Sequence, residues 1–174
     1  AKVSLGMWLA ESLEVNAGPR SAIQSALEHV LRAAPQHEAA YEKLERMHQA
    51  TNNHGGLVAM LDLALAADDL KRERRLELLT RKRDIASQSA QHVGALRDAC
   101  SDILDLFPQD QEALRVLERL AREDDDWNAL DLVLQRRLEV AGDKSAKISL
   151  GLQRAENALD RLNKAESALS HAMT

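Results

Sequence analysis

The sequence predicts an all-α fold, an array of about five stacked helix hairpins, and three observations carry that prediction. The first is composition. Aromatic residues make up only 2% of the 174 residues, while Ala, Leu, Glu, Arg and Asp dominate. Helix formers are abundant, and the β-branched and aromatic strand formers are scarce. The second is that lines of text return. VSLGMWLAE at Val3–Glu11 is echoed by ISLGLQRAE at Ile148–Glu156, and SALEHVL at Ser25–Leu31 by SALSHAM at Ser167–Met173. AIQSALEHVLRAAPQ, 22–36, aligns without gaps on ALRDACSDILDLFPQ, 95–109, an offset of 73. The third is punctuation: the 7 glycines and 3 prolines fall mostly between apolar-periodic segments.

Ten helices are expected, taken in order. The first, 2–16, carries VSLGMWLAE and stops at AGP, Ala17–Pro19. The second, 20–33, carries SALEHVL and stops at AAPQ, Ala33–Gln36. The third, 37–50, ends in TNN, Thr51–Asn53, and the fourth, 54–67, opens at His54. The fifth, 70–87, holds the densest charge, and the sixth, 90–106, ends in FPQD, Phe107–Asp110. The seventh, 110–123, runs into EDDD at Glu123–Asp126, whose last acid sits where an N-cap of the eighth, 126–140, is favoured. AGD at Ala141–Asp143 separates that helix from the ninth, 143–160, which carries ISLGLQRAE; the tenth, 163–173, carries SALSHAM. Such short connections force antiparallel neighbours.

The offset of 73 extends along the chain. Leu44, Glu45 and Arg46 fall on Leu117, Glu118 and Arg119, Leu57 and Leu61 on Leu130 and Leu134, and Val3 and Leu5 on Leu76 and Leu78. Four helical patterns lie within one such period, so the elementary unit is a hairpin about half as long. A lone hairpin cannot bury its apolar stripe, and successive hairpins therefore stack on a shared core.

On these residues the chain resembles a tetratricopeptide-repeat array. Leu5-Gly6 and Leu150-Gly151 match the Leu-Gly pair of the family's first helix, and Pro35 and Pro108 its closing proline. Gly6 and Gly151 are expected to admit a neighbouring helix closely, with Leu79 at that place in the middle copy. Gly6 to Pro35 spans 29 residues, more than the family's interval, and HEAT-type arrays of roughly 40–47 residues per unit are the structural alternative. The resemblance implies a right-handed solenoid over 1–174 and a non-catalytic scaffold that holds a protein or peptide in a groove. Self-assembly, or service as the accessory domain of a larger enzyme or regulator, are the alternatives.

Several classes are disfavoured by the bulk properties. The net charge of −5 offers no general attraction for nucleic acid or anionic lipid. No window approaches the roughly 18 apolar residues of a membrane helix, and no basic-then-apolar leader opens the chain. A single cysteine rules out an internal disulfide framework and suits the cytoplasm. The start at Ala1 and the stop inside a helical pattern suggest a piece of a longer repeat protein.

Candidate sites are few, and no cofactor is implied. His54-Gly55-Gly56 superficially matches an esterase oxyanion loop, but no G-x-S-x-G elbow accompanies it, and His54 aligns with Trp127 as a helix opener. The six histidines, 29, 37, 48, 54, 92 and 171, include no H-E-x-x-H pattern or other pair with metal-ligand spacing. Cys100 aligns with Leu27 and reads as core. On the fifth helix, Arg74, Arg75, Arg81 and Lys82 form a basic strip, read first as a solvated face partnered by Glu73, Glu77 and Asp84. As a binding surface the strip suits an acidic protein or peptide; nucleic acid is disfavoured because stacking aromatics are lacking. Trp8 and Leu9 stand where the other copies place Arg81 and Lys82, then Gln153 and Arg154, all expected to be solvated. An aromatic there is a candidate anchor for a partner or for self-association.

Overall fold

A computed structural model describes residues 2–160, and the described residues are all-α: nine α-helices and one 3₁₀ turn, with no strand among them. The helices are α1 (Lys2–Val15), α2 (Arg20–Ala33), α3 (Glu38–Gln49), α4 (His54–Leu65), α5 (Arg72–Ala86), α6 (Val93–Leu106), α7 (Gln111–Glu123), α8 (Trp127–Val140) and α9 (Lys144–Asp160). The expected start of the sixth helix at 90 is instead the 3₁₀ turn Ala90–His92, entered where the Ser89 hydroxyl accepts from the Gln91 N–H at 3.3 Å. Tight turns of this kind commonly precede α-helices. The predicted helix over 163–173, and with it the SALSHAM echo, lies outside the described residues.

The chain divides into two compact units, 1–99 and 100–174, with the division inside α6. In the first, α1 packs on α2, α2 on α3 and α4, α3 on α4, and α4 on α5. In the second, α7 packs on α8 and α8 on α9. Leu27, Leu31, Leu44 and Leu61 are fully buried in the first core, with Ala10, Ala26 and Ala40 letting helices approach. Leu130 and Leu134, at the positions of Leu57 and Leu61, hold the second core with Leu150. Each such leucine contributes about 1.5–3 kcal/mol on burial. Gly6 has the close approach expected of it: a Cβ there would lie 2.6 Å from Val30 Cγ2 on α2. Cys100 is fully buried, as core.

Local geometry recurs at the same interval of 73. Asn52 and Asp125 both adopt positive φ, 49° and 54°. The next residue caps the following helix: Asn53 accepts from the Gly56 N–H at 2.8 Å and Asp126 from the Ala129 N–H at 3.0 Å. One hairpin earlier, His37 Nδ1 accepts from the Ala40 N–H and Asp110 from the Ala113 N–H, at 3.2 and 2.7 Å. The EDDD stretch thus ends in a cap, as read from the sequence. Each cap satisfies a helix N–H that would otherwise lack a partner, worth about 1 kcal/mol.

One pair of positions differs in a compensating way. His48 on α3 is buried, and its ring lies directly over Gly56, where any Cβ would overlap it. The counterparts 73 residues on are Ala121 and Ala129, small against small. A large ring on one helix thus requires the absence of a side chain on the next. Burial also pushes the His48 imidazole below its ordinary value of 6.5; Glu28 pulls it partly back, and Arg20 adds to the fall.

Two outcomes follow from this contact. Gly56→Ala alone is expected to destabilise the chain by about 1–3 kcal/mol through overpacking. The double variant His48→Ala/Gly56→Ala, which copies the second unit, should recover most of that loss in urea unfolding; an additive double variant would refute the pairing. The unfolded chain also binds the His48 proton more readily than the folded one. Stability should therefore be complete above about pH 6.5 and fall as the pH drops below it, towards the lowered folded value. In the double variant that part of the pH dependence should vanish.

Candidate functional site

The densest concentration of aromatic and charged groups in the first unit lies between α3 and α5. α3 presents Tyr41 and, one turn on, Glu45; α5 presents Arg74 and Arg81, seven residues apart and so on one face. The Arg74 and Arg81 guanidinium carbons stand 5.9 and 6.0 Å from the Tyr41 ring centroid, within cation–π range. Arg81 also donates to the Tyr41 hydroxyl at 3.3 Å and pairs with Glu45, while Arg74 pairs with Glu77 at 2.7 Å. The ring itself is buried, 8% exposed. Beside it opens a hollow of about 280 Å³, lined by Pro35, Gln36, Glu38, Tyr41, Ala64, Leu70, Arg74 and Leu78. A neighbouring hollow shares Pro35 and Gln36, and a Gln36–Asp69 hydrogen bond of 2.7 Å ties the two loops at its rim.

The four cations expected as one strip are divided between two neighbours. Arg74 and Arg81 turn to α3. Arg75 donates to the carbonyls of Leu65 and Ala67, at 3.4 and 3.1 Å, where the carbonyl end of α4 favours positive charge. Lys82 is only 7% exposed and reaches Asp62 of α4 at 2.7 Å. The reason is angular: adjacent residues on a helix point about 100° apart, so pairs at 74/81 and 75/82 occupy different faces.

The same contact geometry corrects the expectation of solvated side chains opposite Leu9. Lys82 and Arg154, its counterparts, are 7% and 8% exposed. Arg154 grips Asp131 of α8 through two hydrogen bonds of 3.1 Å and reaches Gln135 at 3.5 Å. Gln153, the counterpart of Arg81, meets Arg122 at 3.4 Å, and Arg122 pairs with Glu118 at 2.9 Å. These side chains seam one helix to those before it. Trp8 and Leu9, in contrast, are open, at 63% and 43% exposure.

Tyr41 was not singled out by sequence reasoning, although a signal existed. It occupies the position of Leu114, a fully buried core residue 73 further on. A hydroxyl at a core-facing position needs a polar partner, and Arg81, standing where the third copy has Gln153, is that partner. The catalytic and metal readings rest on no gathered set of groups: among the described residues no cluster of three or more His, Cys, Asp or Glu is close enough to hold an ion. Comparison with family models, with curated proteins and with solved structures finds no match to the chain.

The environment of Tyr41 makes a spectroscopic prediction. Burial raises its phenol above the usual 10.0, Arg81 and then Arg74 oppose the rise, and Glu77 adds to it. The chain has one tyrosine, so an absorbance titration of phenolate formation reads this group alone. Its midpoint should lie above 10.0 in the folded chain and rise further in Arg81→Gln; a fall in that variant would show that the guanidinium does not face the ring.

Proposed function

We propose that the chain is a non-catalytic interaction scaffold that holds an acidic segment of another protein. The observation that carries this reading is the hollow beside Tyr41. Its floor, from Pro35, Ala64, Leu70 and Leu78, suits an apolar side chain, and Arg74 and Arg81 stand beside it to meet carboxylates. Mixed sites of this kind, apolar with a few convergent polar groups, are the usual form of a recognition pocket. Arg74 is half-exposed, and its partner Glu77 is more exposed still. A pair so solvated is held weakly and gives way to a competing carboxylate.

The wider setting of the proposal is an array of about five hairpins, 1–174, wound as a right-handed solenoid in the manner of tetratricopeptide proteins. The recurrence of caps and positive-φ turns at 73 residues supports it. A net charge of −5 argues against nucleic acid as the guest. No described helix is long and apolar enough to cross a membrane, and the single, buried cysteine fits a reducing cytoplasm.

The test is a fluorescence-anisotropy titration with helical and extended peptides of equal apolar content but opposite charge. Acidic peptides should bind, more weakly as salt is raised. Arg74→Gln/Arg81→Gln should lose about tenfold in affinity, which is about 1.4 kcal/mol. Equal binding of basic peptides, or indifference to the double replacement, would refute the proposal.

A further inference from the structure

α1 is apolar on two opposite faces. Val3, Met7, Ala10 and Leu13 pack into the core of the first unit. Leu5, Trp8, Leu9 and Val15 lie on the other side, exposed by 64, 63, 43 and 86%. A helix that is apolar all round is ordinarily covered on both sides.

The later copies of this helix carry such a cover. Leu78 and Leu150, at the place of Leu5, are 2% and 6% exposed. Lys82 and Arg154, at the place of Leu9, are held by Asp62 and Asp131, which belong to the preceding helices α4 and α8. The positions that stand open on α1 are therefore packing positions. At the same time Leu9 replaces the cation, so the surface that fits α1 presents apolar atoms where α4 and α8 present a carboxylate. α1 meets that requirement itself: Leu5, Trp8, Leu9, Ser12 and Val15 form one stripe of about 120°, with Lys2 and Glu11 at its margins.

We infer that the Leu5–Trp8–Leu9 face of α1 docks on the same face of a second copy of this chain. The contact is isologous, each copy giving and receiving the same side chains about a two-fold axis. Trp8 sits near its centre, the place where a large aromatic contributes most. The face is separate from the hollow at Tyr41, which would remain open in the dimer's subunits as in one chain.

Sedimentation equilibrium of the full chain over a range of concentrations tests the inference. The mass should rise towards twice the 19.3 kDa of one chain. Trp8→Arg/Leu9→Lys, which writes Arg81 and Lys82 of α5 into α1, should keep its helix content by circular dichroism and stay at the single mass. If that variant loses helix, Trp8→Gln, the residue found at 153, decides instead and should associate at least about tenfold more weakly. A wild-type chain of single mass at every concentration would overturn the inference and leave the face to a different protein. A dimer unaffected by a folded variant would overturn it too, because another surface would then carry the association.

Discussion

The turn from α3 to α4, with its counterpart from α7 to α8, is the constraint on which the rest of this structure depends. Leu44 can face Leu61 only if the chain reverses within three residues, and the reversal requires a left-handed residue at Asn52 or Asp125. That conformation costs a side-chain-bearing residue about 1–2 kcal/mol, though Asn and Asp accept it most readily. The capping bond made by the next residue, Asn53 or Asp126, offsets much of this. Local strain and local capping thus come as a unit, and the unit recurs wherever the hairpin does. What differs between copies is what the hairpin must accommodate, as with His48 over Gly56 in one and Ala121 beside Ala129 in the other.

Charge in this molecule is largely internal to it. Arg75, Arg81, Lys82 and Arg154 each reach a partner on an earlier helix, so a dense run such as KRERR functions first as stitching between helices. The energetic weight of the stitches is uneven. Asp62 is half-exposed and its pair with Lys82 is well solvated on one side, whereas Asp131 and Arg154 are both largely covered and share two hydrogen bonds. Geometry of the second kind adds directional specificity, because a planar guanidinium meets a carboxylate in one orientation. Arg74 is the member of the basic run left with a solvated partner, and it stands at the mouth of the hollow beside Tyr41.

Much of the fold was legible because turn chemistry is local. The Gly, Pro and Asn-Asn punctuation placed most helix ends within a residue or two, and the aligned Leu57/Leu61 and Leu130/Leu134 pairs are core as the interval implied. The direction of the α5 side chains was not legible. Its leucines, 76, 78 and 79, interleave with cations closely enough that no single apolar stripe stands out, and only the positions of α3 and α4 decide where each arginine goes. α1 posed the related difficulty of a helix with no polar side. His48 and Gly56 are uninformative singly; their meaning is a contact between helices, which no spacing within one helix reveals. Tyr41 escaped for the same reason, since its partner Arg81 lies 40 residues away.

The lone thiol, fully enclosed within α6, gives the chain a built-in clock. A reagent that alkylates cysteine has nothing to attack while the helix is closed, so labelling proceeds only through openings that bring Cys100 to solvent. Because no second thiol competes, the labelling rate under native conditions counts those openings directly. Its dependence on denaturant then separates a local fraying of α6 from the loss of a whole unit.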